Sequence, residues 1–434
     1  MLTLTDMFCG AGGSSTGAIA APGVEVRVAS NHWRLAIETH NTNHPDADHI
    51  CADLSQTHPR YFPRTDILWA SPECTNHSRA KGRPIESSQD ALWGDALPDE
   101  AAERSRATMW DVVRFADHHA YRAAIVENVV EVTQWRPFAS WLSAMHSLGY
   151  RHQLVSLNSM HAQRYGLPAP QSRDRFYAVF TRVEDPAPDL SDMQRPLAWC
   201  EGCGEVVRSR QWWKRDRGPD QVGRYRQQYL YRCPNVRCRH AIVEPAWLPA
   251  YTAIDWTIPG QRIGDRTKPL AEKTRARIAA GIARYWHPLG TLTTHDRFGL
   301  VVPAGGTWND DARPTDDALR ALTTRDAYAL VMRNNTGGAE MVTPAWEEMR
   351  TITTAGHQSI LTPGDIAAAR AQVDDVLFRM LEPSEAKRGM AFPHEYVILG
   401  TRREQVRMAG NAVTPPAARD LVTTVAATLN GAAA

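Results

Sequence analysis

The sequence has no run of about 18 apolar residues of the kind that crosses a membrane. Its opening, MLTLTDMFCG, lacks the basic stretch and apolar core of a secretory signal. A cytoplasmic location with no membrane partner is the expectation, and a monomer is expected as well. Net charge is also missing: 49 Lys and Arg stand against 48 Asp and Glu. That balance excludes a chain held to nucleic acid by overall basicity, so any such contact must come from local segments. Cysteine is scarce, seven in 434 residues, which excludes a disulfide scaffold and points those thiols toward metal or catalysis. With 43% hydrophobic residues the chain can fill a core large enough for two or three domains.

Residues 1–182 alternate short apolar runs with helix-like stretches. Strands are expected over Leu2–Thr5, Val24–Ala29, Asp66–Trp69, Ala123–Val126, Gln153–Leu157 and Phe176–Phe180. Buried strands separated by helices imply an α/β, doubly wound, Rossmann-like sheet that takes its ligands at the strand carboxyl ends. From 183 to 375 the sequence turns Pro-, Trp- and Arg-rich, the texture of a loop-rich insertion. Within 288–363 a unit recurs every 30 residues, starting at Thr291, Ala321 and Thr351. Such a period implies three copies of a turn followed by a strand, and stacked hairpins with no ligand role fit it equally. Residues 376–434 become helical again.

Four stretches of the first region carry chemistry. Asp6-Met-Phe-Cys-Gly-Ala-Gly-Gly-Ser directly follows the first strand, and Gly10, Gly12 and Gly13 let the backbone turn sharply and approach a ligand. Taken alone, it is equally a tight strand-to-helix turn. Ser71-Pro-Glu-Cys-Thr-Asn-His-Ser sets Cys74 just beyond a strand end, where a lone cysteine is either a small buried hydrophobe or a nucleophile. Glu127, in Ala124-Ile-Val-Glu-Asn-Val, places an acid at the end of an apolar strand. Arg173 and Arg175, at i and i+2 before Phe176–Phe180, should share one face of a strand mouth. A thiol, an acid and two cations, all at strand mouths, have no common explanation in folding.

Together, and in this order, the stretches resemble the DNA cytosine methyltransferases that act at ring carbon 5. That family's Asp-x-Phe-x-Gly-x-Gly-Gly is similar to Asp6–Gly13, its Pro-Cys loop to Ser71–Ser78, and its Glu-Asn-Val to Glu127–Val129. Its Tyr-Gly-x-Pro-Gln-x-Arg-x-Arg resembles Tyr165–Arg175 with Ala169-Pro170 inserted, and its Gly-Asn-Ala-Val-Pro-Pro resembles Gly410–Pro416 with an inserted Thr. The resemblance covers 1–182 and 376–430 and leaves the middle to a variable target-recognition region. It implies a catalytic domain over 1–182 completed by 376–434, with the recognition region over 183–375.

The resemblance implies that Cys74 adds to carbon 6 of cytosine, turning carbon 5 into a nucleophile. Glu127 would neutralise charge at N3 and the exocyclic amine, with Arg173 and Arg175 orienting the base and favouring the thiolate. The base must first leave the duplex. The implied methyl donor is S-adenosylmethionine. Phe8 and Trp33 would lie on the adenine, Gly10, Ala11, Gly12 and Gly13 along the methionine part, Asp53 of Ala52-Asp53-Leu54 at the adenine amine, and Asn411 and Val413 closing the pocket. Two departures stand out: His32 replaces the acid that serves the ribose hydroxyls, and Glu73 and Thr75 flank Cys74 in place of Pro and Gln.

Cys200-x-x-Cys203 and Cys233-x-x-x-x-Cys238 lie 29 residues apart, a spacing that suits a structural zinc ribbon over 198–242. Between and beyond the pairs, Arg208, Arg210, Trp212, Trp213, Lys214, Arg215, Arg217, Arg224 and Arg226 mix cations with aromatics, which suits phosphate contact and groove insertion. The expected substrate is double-stranded DNA, with a cognate restriction endonuclease as a possible companion in DNA methylation. The alternatives are the same chemistry on RNA, or a catalytically silent DNA-binding relative.

Overall fold

A computed structural model describes residues 1–72, 100–216, 218–285, 329–333, 341–352, 358–362 and 372–431, with the backbone alone described at 100–107 and 284–285. In the first part of the chain lie strands β1 (Leu2–Met7), β2 (Val24–Asn31), β3 (Asp48–Cys51), β4 (Ile67–Ala70), β5 (Ala123–Asn128), β6 (Tyr150–Asn158), β7 (Gln171–Ser172) and β8 (Asp174–Arg182). All but β7 join one seven-stranded sheet in the order β3-β2-β1-β4-β5-β8-β6. From β3 to β5 the neighbours run parallel, while β8 runs antiparallel to both β5 and β6. All six apolar runs expected as strands are strands of this sheet. The edge strand β3, Asp-His-Ile-Cys, has no apolar run to announce it.

The helices are α1 (Gly13–Ile19), α2 (Arg34–Asn43), α3 (Glu100–His119) and α4 (Phe138–Ser147), followed far along the chain by α5 to α8. Side chains alternate across the sheet as a two-residue period requires. Leu4, Ile67, Ile125 and Val179 enter one core with α8 (Pro415–Leu429) through Leu421, Val422 and Val425. Their neighbours Met7, Leu68, Val126 and Ala178 enter the opposite core with Val112 and Phe115 of α3 and Trp141 and Met145 of α4. Both faces are thus sealed, which is why β4 and β5 are buried along their whole length. The order of strands reverses between β1 and β4, so their carboxyl ends frame a crevice.

Beyond residue 182, β9 (Leu197–Cys200) and β10 (Glu205–Arg208) form a hairpin, and β11 (Arg210–Trp213), β12 (Tyr229–Arg232) and β13 (Ile242–Val243) form a small antiparallel sheet. A second sheet uses β14 (Gln261–Arg262), β15 (Leu330–Arg333), β16 (Val342–Pro344), β18 (Gln358–Thr362) and β19 (Leu377–Met380), and α5 (Glu272–Tyr285) packs Ile278 against it. The short β17 (Met349–Arg350) pairs instead with β7. Strands β15 and β18 end the second and third copies of the 30-residue unit and lie side by side, Leu330 opposite Leu361; the first copy lies outside the described residues. Strand β19 shows that the segment after 375, read from the sequence as helical, first contributes a strand to this sheet. Helix α6 (Pro383–Gly389) and helix α7 (Arg402–Asn411) follow, the latter opened by a reciprocal Thr401–Glu404 cap. Among the described residues no helix is long and apolar enough to cross a membrane.

Candidate active site

Between β1 and α1 the backbone turns through left-handed conformations at Phe8 (φ 61), Gly10 (φ 51) and Gly12 (φ 84). Such values are open to glycine and strained at Phe8. Gly13 is held by proximity instead, since a Cβ there would sit 1.9 Å from the Val413 carbonyl oxygen. Behind the turn, the buried Asp6 accepts hydrogen bonds of 2.6 Å from both Ser14 and Ser15. Burial pushes its carboxyl up to about 6, against the pull of those two hydroxyls. His40 extends the chain, with one ring nitrogen 2.8 Å from Ser15 Oγ and the other 2.8 Å from His49 Nε2.

The residues expected at the cofactor gather at the carboxyl ends of β1, β2 and β3. Trp33 begins α2, its amide hydrogen bonded to Asn31 Oδ1 at 2.9 Å, and the Arg407 guanidinium lies 4.9 Å from its ring centroid. His32 is exposed beside it. Asp53 caps the turn Leu54–Gln56, accepting from the Ser55 amide at 3.0 Å and Gln56 Nε2 at 3.3 Å, and a carboxylate has acceptor positions to spare. The Leu54 side chain is core, while its carbonyl takes the Arg114 guanidinium. Asn411 is exposed at the end of α7, and Val413 is buried against the glycine turn. Phe8 is partly buried and packs toward the core behind β4 and β5, and Ala11 accepts a hydrogen bond from Tyr396.

On the other side of the crevice, Glu127 ends β5 almost buried, and Arg175 Nε lies 2.8 Å from its Oε1. Tyr177 pairs with Glu127 across the β5–β8 ladder, so Arg175 two residues away is the diagonal neighbour on the same face. Asn128 turns back, its amide 3.3 Å from the Pro72 carbonyl, two residues before Cys74. Cys74 itself, with Glu73 and Thr75, lies outside the described residues.

Both arginines bring their charge to the Tyr177 hydroxyl, as two residues on one face would. Arg173 sits in the short gap between β7 and β8. It is buried, and its guanidinium donates to the carbonyls of Ile352, Gly410 and Ala412 at 3.1–3.2 Å. It fastens the turn after α7 to the strands of the central sheet, and Arg175 meets Glu127.

The four cysteines converge. The sulfurs of Cys200, Cys203, Cys233 and Cys238 all lie within 4.8 Å of one another, and Cys203 and Cys233 are 3.8 Å apart. Four thiolates at about 2.3 Å from a central tetrahedral metal would be separated by about 3.8 Å. The Asn235 amide, hydrogen bonded to Cys203, holds that thiol down at about 6. The basic stretch divides. Arg208, Arg210 and Arg215 are exposed, and Trp212 is half exposed with Arg232 over its ring. Arg217 lies outside the described residues. Arg224 and Arg226, read from the sequence as phosphate contacts, instead form ion pairs with Glu131 and with Glu244 and Glu348. Their partners stand at no spacing that local structure would pair, which hid the pairing. Glu131, Asp174 and Arg407 were likewise missed, being single charges outside any recognisable spacing.

The C-5 cytosine-specific DNA methylase family model matches residues 2–197 and 302–427. Type II methyltransferase M.AgeI of Thalassovita gelatinovora is 24% identical over 196 residues, 42% of this chain and 41% of that protein. Type II methyltransferase M.NlaX of Neisseria lactamica is 26% identical over 183 residues, 41% of this chain and 52% of that protein. The matches therefore span about half the length, or less, of these curated relatives. The Dnmt2 methyltransferase of S. pombe shares the fold, with a TM-score of 0.52 and 14% identity over 99% of both chains.

Proposed function

Because this chain belongs to the C-5 cytosine-specific DNA methylase family, we propose that it methylates carbon 5 of a flipped-out cytosine in duplex DNA through a covalent Cys74 adduct. The observation that carries this reading is the 2.8 Å contact between Arg175 and Glu127 at the mouth of β5. Its neighbour Asn128 holds the backbone just ahead of Cys74.

The donor, S-adenosylmethionine, supplies a methyl group on a cationic sulfur. The residues at the crevice suit it: Phe8 and Trp33 offer ring faces to an adenine, Asp53 an acceptor to its amine, and Gly10–Gly13 a side-chain-free approach. His32 would serve the ribose with a single acceptor, and Asn411 and Val413 would close the pocket. Cys74 adds its thiolate sulfur to ring carbon 6, and the carbon 5–carbon 6 π pair becomes available at carbon 5. Glu127 would neutralise the negative charge that builds at N3 and the exocyclic amine, and Arg175 fixes that carboxyl and the base edge. Arg173, which also holds the Gly410 and Ala412 carbonyls, would orient the base and favour the thiolate together with Arg175. After methylation the carbon 5 proton leaves and the sulfur–carbon 6 bond breaks, returning its electron pair to the thiolate.

Residues 1–182 with 376–434 form the catalytic domain in this reading, and 183–375 the recognition region. Cys200, Cys203, Cys233 and Cys238 hold one structural zinc, with no position left for catalysis. Exposed Arg208, Arg210, Trp212 and Arg215 then face nucleic acid. The Type II designation of both curated relatives supports a cognate restriction endonuclease as companion.

The test is incubation with S-adenosylmethionine and duplex DNA carrying 5-fluorocytosine, where fluorine blocks the final elimination. A stable protein–DNA adduct, absent in Cys74→Ser and absent on the matching RNA, is the expected result. No adduct on any duplex, with donor binding demonstrated, overturns the covalent scheme; an adduct on RNA alone overturns the substrate.

A further inference from the structure

The loop Gly223–Arg226, which lies between β11 and β12 within the cysteine-rich module, contacts the central sheet largely through charged and polar groups. Val222 leads into it and packs on the core behind β5. The Gly223 amide donates to Ser156 Oγ on β6 at 3.0 Å, and the Tyr225 amide to Asp174 Oδ1 at 3.0 Å. Asp174 lies directly before Arg175, and Arg175 bonds back to the Asp174 carbonyl at 2.9 Å. Arg224 pairs with Glu131, a buried carboxylate in the turn Val130–Gln134 that leaves the mouth of β5 four residues after Glu127. Arg226 reaches Glu348, beside the strand that pairs with β7. Three successive residues of one loop thus grip the segments on either side of Glu127 and Arg175.

A buried ion pair is a poor source of stability, because desolvation cancels most of the attraction, but it fixes one arrangement against others. In Arg224–Glu131 the carboxylate is buried and the guanidinium partly exposed, so part of that balance applies. A contact serving only adhesion between lobes would be better made with apolar side chains.

We propose that Gly223–Arg226 is a positioning clamp on the catalytic acid. Arg224 acts through Glu131 on the turn that follows Glu127 out of β5, so the cysteine-rich module sets the rate of methyl transfer as well as holding nucleic acid. The inference rests on the assignment of Glu127 above.

It is tested on the full chain by single-turnover methyl transfer, with DNA affinity measured across salt concentrations. Arg224→Ala is expected to slow transfer about 10- to 100-fold while leaving DNA affinity and its salt slope unchanged, and Arg224→Lys to recover most of the rate. The double variant R224Q/E131Q removes the pair together, is expected to transfer no more slowly than R224Q, and carries the test should Arg224→Ala fail to fold. An unchanged rate with a salt slope reduced by about one makes Arg224 a phosphate contact and overturns the clamp. So does a double variant slower than either single one by the product of their effects. Glu127→Gln separates the two ideas: if it keeps full rate, the assignment of the acid fails whatever Arg224 does.

Discussion

Glu127 and Arg175 meet side by side on two antiparallel strands, Oε1 and Nε 2.8 Å apart and both largely shielded from water. They share one face and one charge-assisted hydrogen bond, so they should behave as a unit. Glu127→Gln is expected to slow single-turnover transfer by about 10²–10⁴-fold, the usual range for a lost acid or base. Arg175→Ala should fall in the same direction, and the double variant no more than a few-fold below the worse single one. Multiplicative losses would mean that the two act apart.

Gly13 tests how tightly the glycine turn is closed. A methyl group there meets the Val413 backbone at 1.9 Å, and backbone cannot rotate away. Gly13→Ala should destabilise the protein by about 3 kcal/mol or more in denaturant melts. Gly204→Ala provides the comparison, since that site has φ +67 but open space around it. Only the left-handed penalty of about 1–2 kcal/mol is expected there. Equal effects at the two sites would show that α1 and the turn at Val413 part easily.

His161 sits between Tyr225 and Tyr231, its ring 4.7 and 5.0 Å from theirs, with neither ring nitrogen hydrogen bonded among the described residues. Burial, helped by Arg226, pulls it down from 6.5 to about 3. A depressed folded value means stability that is present above pH 6.5 and lost as the pH falls toward 3. The loss between pH 6.5 and 5 comes to about 2 kcal/mol. His161→Phe should flatten that acid limb in melts at pH 5 and 7, whereas an unchanged slope would place the titration elsewhere.

The cysteine cluster should bring about one zinc per purified chain. After removal of the metal, amide hydrogen exchange is expected to rise across 197–243 while β1, β4 and β5 stay protected. Metal-free protein with those amides already protected would make the four thiols an ordinary small core.

The central sheet was legible because every strand but the edge strand β3 contains a short apolar run, and Glu127 because an acid stood near the end of one of them. The carbonyls that hold Arg173 were not, since they lie 179, 237 and 239 positions away in the sequence. Arg224 and Arg226 were read correctly as cations and wrongly as free ones. Glu131 and Glu348 lie 93 and 122 positions from their arginines and Glu244 lies 18, none at a spacing that local structure would pair. For the cysteines, spacing predicted proximity, and the sulfurs do converge.

Helix α8 shares its core with Leu2, Leu4 and Ala18, residues about four hundred positions earlier. During synthesis the first strands therefore leave the ribosome long before the helix that covers them. One face of the nascent sheet must wait uncovered, and the turn at Gly13 cannot close on Val413 until about four hundred further residues have been made. A ribosome stalled before residue 413 would carry the first strands of the sheet with the glycine turn still open.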